Sequence, residues 1–460
     1  MASQAFPPQE DGIPMPQRIF AVLAISFGIV MGVLDASIAN IALPSIATDL
    51  GVSVAASIWV VNSFQLTVAV LLLAISSAAE ILGLRRVFWV GLLIFTAASA
   101  ACGLSGSITA LIISRSVQGV GAACIFATYP ALIAHIYPRR MLGRGIGISA
   151  TIVSLSNALG PTVAAGILSV ARWEWLFLVN IPIGILGLVI GARALPHTST
   201  WKRPFDVPAA VASGAMIGLA VIGIDGLGRP DDRVLAIVEI AAALGIGALL
   251  WRWQGREATP LVPIDLLRLP VFSLSVITSI CSYAPQSIVL IALPFYFQHT
   301  LGWSPVATGL IMTPIPLAVA TIGVVAGRLA DRYPAGVLCG IGLLVMATGL
   351  GLLVLLPDNP GVLNVVWREF TVGLGFGLFQ TPNNRALLSS GPRHRSASAG
   401  GMLAVARLMG QTGGVSLVGV FSSLSGNDVT TSVLIAATGI TLIGAVSSFT
   451  RLGVQPIVNR

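Results

Sequence analysis

The sequence predicts an all-α polytopic membrane protein, on three observations. Only 9% of its 460 residues are charged and 55% are hydrophobic, whereas ordinary soluble domains carry about 25% charged residues. Apolar runs of about 20 residues recur from end to end, each long enough for a helix to cross a hydrocarbon core of about 30 Å. Helices satisfy their own backbone groups, as lipid demands. The 50 glycines fit the same class, because small residues let membrane helices approach closely.

Taken in order, the runs place spans at 19–43, 57–79, 87–105, 108–133, 145–170, 175–195, 207–226, 234–252, 271–296, 306–329, 335–356, 362–387, 397–424 and 430–450, fourteen in all. Residues 1–17 are polar and proline-bearing, and the first run is long enough to remain as a span rather than a cleaved signal. An even number of spans brings both termini to one side. With the N-terminus inside, only Arg172, Arg229 and Arg233 fall in outside segments, and Arg115, Arg368, Arg385 and Arg407 fall within spans. All other basic residues lie inside, so the positive-inside rule places both termini in the cytoplasm.

The first span closes on Leu34-Asp35-Ala36-Ser37-Ile38-Ala39-Asn40-Ile41-Ala42-Leu43-Pro44. A carboxylate in such a segment costs about 2.5–3.5 kcal/mol on insertion scales, so it calls for a partner or a function. Asp35 lies eight or nine residues before the span's exit at Pro44, and Arg115 seven residues after the fourth span enters from the same side. At 1.5 Å per residue both lie roughly 10–12 Å below the outer surface, where they can meet. Either the pair is a static ion pair between two helices, or Asp35 exchanges a proton when helix motion separates it from Arg115. Asn40 and Gln118 can hydrogen-bond in the same space. Arg407, about ten residues into the thirteenth span, is too deep to snorkel easily and faces a wet cavity or a partner. Glu369, in the twelfth span, is a candidate for recognising cations. Asn383 and Asn384 sit toward the cytoplasmic mouth, where their amides suit a gate or a helix cap. Tyr129, Tyr283 and Phe379, with Trp59, Phe64, Phe126, Phe295 and Tyr296, are candidates for an apolar substrate pocket; taken singly, each also suits core packing or lipid contact.

The halves of the chain repeat one pattern. Glu80-Ile81-Leu82-Gly83-Leu84-Arg85-Arg86 follows the second span, and Asp331-Arg332-Tyr333-Pro334-Ala335-Gly336 follows the tenth. Each places an acid at a span's cytoplasmic end. If these positions are equivalent, residues 1–195 and 271–460 form two six-span bundles, and 196–270 is a linker carrying two additional spans. Internal repeats around a central site are the usual build of secondary transporters.

These stretches resemble the major facilitator superfamily, specifically its fourteen-span drug–proton antiporter family. Leu34 to Pro44 looks like the signature L-D-x-T-I-V-N-V-A-L-P, and Glu80 to Arg86 like the loop motif G-x-x-x-D-R-x-G-R-R. Arg115-Ser116-Val117-Gln118-Gly119-Val120-Gly121 matches R-x-x-Q-G-x-G, and Gly160-Pro161 with Gly166 resembles the fifth-span antiporter motif. Trp173 to Gly184 looks like W-R-W-x-F-x-I-N-x-P-x-G, and Pro263-Ile264-Asp265-Leu266-Leu267 follows the family's linker pattern. Within the family the chain looks closest to YebQ-like members, alongside pumps for quaternary ammonium compounds and methyl viologen.

The resemblance implies two six-helix bundles plus two extra helices, alternating access, and proton-coupled export of amphipathic, cationic drugs or biocides across a bacterial inner membrane. It implies proton coupling at Asp35 and Arg115, and conformational roles for Glu80, Gly83, Arg85, Arg86, Gly160, Pro161, Asp331, Arg332, Asn383 and Asn384. The chain departs from the loop pattern: Glu80 replaces the usual Asp, Ser76 a Gly, and Ile81 the expected basic residue. Weaker gating ion pairs are therefore expected in the first half.

Other classes fit less well. The net charge of +8 sits in short loops between spans and does not suggest nucleic acid. Cys102, Cys124, Cys281 and Cys339 lie inside apolar runs without metal-ligand spacing, and His135, His197, His299 and His394 are scattered. Neither a catalytic cluster nor a phosphate-binding glycine loop is present. The chain reads as a non-enzymatic monomer needing no metal or cofactor, with a proton gradient as energy source, and with a small organic substrate, protons and membrane lipid as partners. A proton symporter or facilitator for a metabolite, and an exporter of anionic or zwitterionic compounds, stay open as alternatives, the latter because of Arg115 and Arg407. A non-transporting membrane receptor or enzyme is the remaining class.

Overall fold

The computed structural model describes residues 12–453, apart from 53, 199, 201–203, 228–231, 258–259, 304, 358–359, 393–394 and 425–428. The side chains of a few helical residues, Asn40 and Pro161 among them, also lie outside the described set.

The described residues form α1 Gln17–Asp49, α2 Val54–Leu82, α3 Leu84–Gly103, α4 Ile108–Ile136 and α5 Leu142–Leu168. They continue with α6 Trp175–Ala194, α7 Val207–Gly226, α8 Arg233–Gln254, α9 Pro270–Phe295 and α10 Pro314–Ala330. The last four are α11 Ala335–Val354, α12 Val362–Ser389, α13 Ser396–Leu424 and α14 Val429–Thr450. Among the described residues, thirteen helices are long and apolar enough to cross a membrane. The count reaches fourteen if Arg139–Asn157 and Thr162–Leu168, which run at 46° to each other, are one span. The bend falls between Asn157 and Thr162, the stretch that holds Gly160-Pro161, as expected of a proline that removes an intrahelical hydrogen bond. The chain is a multi-pass membrane protein.

The helices pack as two sets with matching neighbours. In the first, α1 packs on α5 and α6, and α4 on α2 and α3; in the second, α9 packs on α13 and α14, and α12 on α10 and α11. The matching extends to single residues. Gly119 of α4 lies against the Phe64 carbonyl of α2, and Gly373 of α12 against the Ile315 carbonyl of α10. Gly121 meets Gly91 and Phe95 on α3, and Gly375 meets Gly342 and Met346 on α11. A Cβ at any of these glycines would collide with backbone, so the close crossings depend on glycine.

The two bundles meet through α5 against α10 and through α2 and α4 against α13. The additional pair α7–α8 packs together, and α7 docks on α2 and α13. The outer helix α8 leaves Val234, Leu235, Val238, Leu244 and Leu249 more than half exposed, as suits a surface facing lipid. Apolar cores fill each bundle, one around Phe88, Phe95 and Ile125, the other around Phe297, Leu343 and Phe379.

Candidate functional site: a buried ion-pair network and a cavity between the bundles

The first site lies wholly inside the first bundle. Asp35 is 2% exposed and Arg115 0%. Arg115 Nη1 donates to Asp35 Oδ2, and its Nε donates to the Val60 carbonyl at 3.0 Å. The guanidinium also lies over the Phe64 ring, 4.3 Å from its centroid, and within 5.4 Å of that of Phe177. Asp35 Oδ1 accepts from Gln118 Nε2 at 3.0 Å and from Asn180 Nδ2 at 2.9 Å. Gln118 is itself held: its Nε2 also reaches Ser99 Oγ at 2.9 Å, and its Oε1 accepts from Arg115 Nη1 at 2.6 Å. Residues from α1, α2, α3, α4 and α6 thus converge on one buried charge pair.

The matched-depth expectation for Asp35 and Arg115 therefore fits the geometry. The pair stands apart from the central cavity between the bundles: neither Asp35 nor Gln118 is among its described lining residues. Asn180, inside the Trp173–Gly184 stretch and not among the residues expected to act, donates directly to the Asp35 carboxylate. Its position as a lone amide in an apolar run, two residues before Pro182, is the available signal. Gly160 packs directly against Ser37 of α1, which brings the α5 bend within two residues of Asp35.

The second site is a narrow cavity of about 40 Å³ between the bundles. Tyr129, Tyr283, Gln380, Asn384 and Arg407 supply its main polar groups, and Phe126, Ile146, Val153 and Leu403 part of its apolar wall. Arg407 lies 5.6 Å from the Phe126 ring centroid. Gln380 Nε2 donates to the Tyr283 hydroxyl at 3.1 Å, and Gln380 Oε1 has no partner among the described residues. No carboxylate is among the described lining residues.

Several expected cavity residues lie elsewhere. Phe379 is fully buried, packs on Phe376 and offers its carbonyl to Cys339, so it belongs to the second core. Glu369 is also 0% exposed and away from the cavity, with no partner for either carboxyl oxygen among the described residues. Asn383 and Asn384 are interior to α12 and cap nothing. Asn383 Nδ2 bridges to the Ser275 carbonyl and Ser279 Oγ of α9, while Asn384 lines the cavity. Trp59 and Phe295 point outward, 54% and 60% exposed.

At the end of the molecule where α1 begins, two acids tie the bundles together. Glu80 Oε1 accepts from the Ser398 N–H at 3.0 Å and from Ser398 Oγ at 2.5 Å, at the start of α13. Its Oε2 pairs with Arg395 at 2.9 Å, and Arg395 in turn grips both oxygens of Asp265 and the Pro260 carbonyl. Burial works against the Arg395 charge, but Glu80 and Asp265 hold its pKa above the ordinary arginine value. Asp331 mirrors this arrangement: its Oδ1 accepts from the Gly143 N–H at 2.8 Å near the start of α5, with Arg385 at 3.5 Å and Arg144 at 3.8 Å. Each acid meets the partially positive N-terminus of a helix in the opposite bundle.

The expectation of weaker pairing in the first half is thus overturned. Glu80's longer side chain reaches across the interface, and Arg395 supplies the cation that Ile81 lacks. Arg85 turns away from that interface, toward His197 and the Ala192 carbonyl, and Arg86 and Arg332 are exposed. Gly83 has φ +97°, a conformation that glycine adopts without strain, and makes the sharp α2–α3 turn.

The match to known proteins is extensive. The family model described as Major Facilitator Superfamily matches residues 25–415 and 276–456. The chain is 45% identical to the uncharacterized transporter YebQ of Escherichia coli over 96% of its length and 98% of that protein. It is 31% identical to the riboflavin transporter RibZ of Clostridioides difficile, covering 85% of this chain and 86% of RibZ. It is also 31% identical to the multidrug resistance protein Stp of Mycobacterium tuberculosis, covering 87% and 75%. Among solved structures, the human organic anion transporter MFSD10 superposes with a TM-score of 0.68 at 14% identity, over 95% of this chain and all of that one. The chain is a transporter of the major facilitator superfamily.

Proposed function

We propose that the chain is a proton-coupled antiporter that exports amphipathic organic compounds across a bacterial inner membrane, with both termini in the cytoplasm. The network around Asp35 carries the reading. A buried carboxylate balanced by one buried cation couples its charge to helix position: a proton arriving at Asp35 removes the attraction that holds Arg115. Asn180 and Gln118 fix the carboxylate's orientation, and the nearby α5 bend at Gly160 gives a helix movement to which it can respond. The multidrug resistance protein among the relatives favours export.

In this reading residues 1–195 and 271–460 rock as two bundles, and 196–270 rides on the interface. The Glu80 and Asp331 contacts hold the cytoplasmic side shut. A drug-sized ligand needs a pocket of roughly 300–1,000 Å³, so the present cavity is a contracted one that opens to receive substrate. The proton gradient is the energy source, with no cofactor, and the monomer is the working unit.

The deciding experiment uses energised vesicles with wild type and Asp35→Asn. Substrate uptake against its gradient, with proton release, is expected for the wild type and lost in the variant. A variant that still couples the two would remove Asp35 from the mechanism.

A second reading concerns substrate charge. Cation preference rested on acids, and the structure keeps both Asp35 and Glu369 out of the cavity, whereas Arg407 lines it. This favours neutral or anionic aromatic compounds over cations, in keeping with a relative named as a riboflavin transporter.

A further inference from the structure

A second cavity, of about 550 Å³, lies where the α2–α3 turn meets the segment after α6. Its wall carries Arg85, Arg86, His197, Thr198 and Thr200 and, among the described residues, no carboxylate. Arg86 is exposed and pairs with no acid among the described residues. Arg85 meets no acid among the described residues: its Nη1 lies 2.9 Å from a His197 ring nitrogen, and its Nη2 donates to the Ala192 carbonyl. Thr198 Oγ1 accepts from the Leu84 N–H at 3.0 Å, at the positive end of α3.

The cavity sits at the end of a span and continues into an apolar face. From Arg86, α3 presents Val90, Leu93 and Ala97 at successive helical turns, all exposed. Trp89, which donates to the Leu188 carbonyl at 3.2 Å, stands beside them at the level favoured by interfacial tryptophans. α3 thus supplies the cationic groups at the boundary and a greasy stripe running away from it, and the segment after α6 adds the hydroxyl groups.

We propose that this cavity binds the headgroup of an anionic phospholipid, its phosphate between Arg85, Arg86 and the threonine hydroxyls, and an acyl chain along Val90, Leu93 and Ala97. Basic pockets at membrane boundaries recognise such headgroups through charge and hydrogen bonding. A free phosphate ion would leave the apolar stripe unused. A zwitterionic headgroup would bring an ammonium to a wall that has no carboxylate for it among the described residues. The site is separate from the central cavity and does not depend on the transport reading.

The test is native mass spectrometry of the detergent-purified full chain with phosphatidylglycerol, phosphatidylcholine of the same acyl chains, and inorganic phosphate as competitor. The wild type should retain phosphatidylglycerol selectively. Arg86→Gln breaks no contact among the described residues, so it should fold normally and weaken retention about five-fold. The double variant Arg85→Gln/Arg86→Gln should weaken it further, and Leu93→Gln should also weaken it. Arg140→Gln, at an exposed arginine elsewhere on the same end, should leave it unchanged. Unaltered retention in Arg86→Gln, equal retention of phosphatidylcholine, or full displacement by millimolar inorganic phosphate would each overturn the assignment.

Discussion

Arg115 and Glu369 hold equivalent places in the two bundles, with opposite charge and opposite partnering. Each is the eighth residue of its helix, α4 or α12, and each precedes a matched pair of close-packing glycines. Arg115 is bonded to Asp35, Gln118 and Val60, while Glu369, equally buried, has no described partner. The two halves share a frame, but among the described residues only the first has a charge network at this position.

The consequences of neutralising the two residues should therefore differ. Arg115→Gln leaves Asp35 buried without its counter-charge, and losing one member of a buried pair costs about 3–5 kcal/mol. Glu369→Gln strands no partner and should leave stability unchanged or slightly raised. The double variant Asp35→Asn/Arg115→Gln should recover part of the loss. Unfolding of the purified variants measures all three, and equal losses in Arg115→Gln and Glu369→Gln would contradict the assignment.

Asn180 should behave as a member of the same network. Asn180→Ala removes one of the donors to Asp35 Oδ1, and an under-satisfied buried group costs about 1–3 kcal/mol. Transport should fall with it, because the carboxylate loses a fixed orientation. A variant with wild-type stability and transport would reduce Asn180 to a packing residue.

The closure at the end of the molecule where α1 begins makes a steric prediction. Gly147 of α5 lies against the Gly323 backbone of α10, and an added Cβ would come within 2.5 Å of the Gly323 carbonyl. Neither backbone can yield cheaply, so Gly147→Val should disfavour this closed arrangement. Spin labels at exposed ends of α5 and α10 should report a longer mean distance than in the wild type. Glu80→Gln should shift it the same way, by loosening Arg395 and Ser398. Unchanged distances in both would mean that these contacts do not hold the closure.

Much of this was legible in the sequence. Spans came from apolar runs, and the Asp35–Arg115 contact from counting residues to the membrane surface, because both depend on local pattern. The Glu80–Arg395 pair was not legible, since its partners are 315 positions apart and belong to different bundles. The sequence marks Arg385 only as an arginine within a span; its reach to Asp331 and to the Arg139 carbonyl depends on the docked bundles. Phe379 and Glu369 were misplaced for a simpler reason. Composition shows that a helix carries an aromatic or an acid, but which face turns to the cavity is set by packing.

On the opposite side, Asp49 at the end of α1 accepts from Trp173 Nε1 at 2.9 Å and from Arg172 at 2.8 Å. The indole hydrogen bond first, then the guanidinium, hold this carboxyl below its ordinary range. A lowered acid stabilises the fold above its unfolded pKa and loses that contribution as pH falls through the folded one. The tie between α1 and the 172–178 segment should therefore be constant from about pH 5 to 8 and loosen only below about pH 4. Trp173 fluorescence, taken as the difference from Trp173→Phe, should change only in that acid range. A change centred near neutrality would assign the tie to another group.

Arg407 gives the sharpest prediction about substrates. It is the one charged group among the described residues lining the central cavity, and the amide of Gln380 and the hydroxyls of Tyr129 and Tyr283 complete a polar set around it. A cationic substrate would meet a like charge there with no carboxylate to offset it, whereas an anionic or neutral aromatic compound meets a donor and ring faces. Arg407→Gln should therefore reduce binding of anionic aromatic compounds, by about ten-fold if one charge-assisted hydrogen bond of about 1.5 kcal/mol is lost. The same variant should leave neutral compounds little changed and improve cations. A binding and resistance panel of matched cationic, neutral and anionic compounds, run on wild type and variant, reads the sign directly. If cations bind the wild type best and lose affinity in Arg407→Gln, the cavity changes its lining when it opens, and the acids now buried away from it become the substrate ligands.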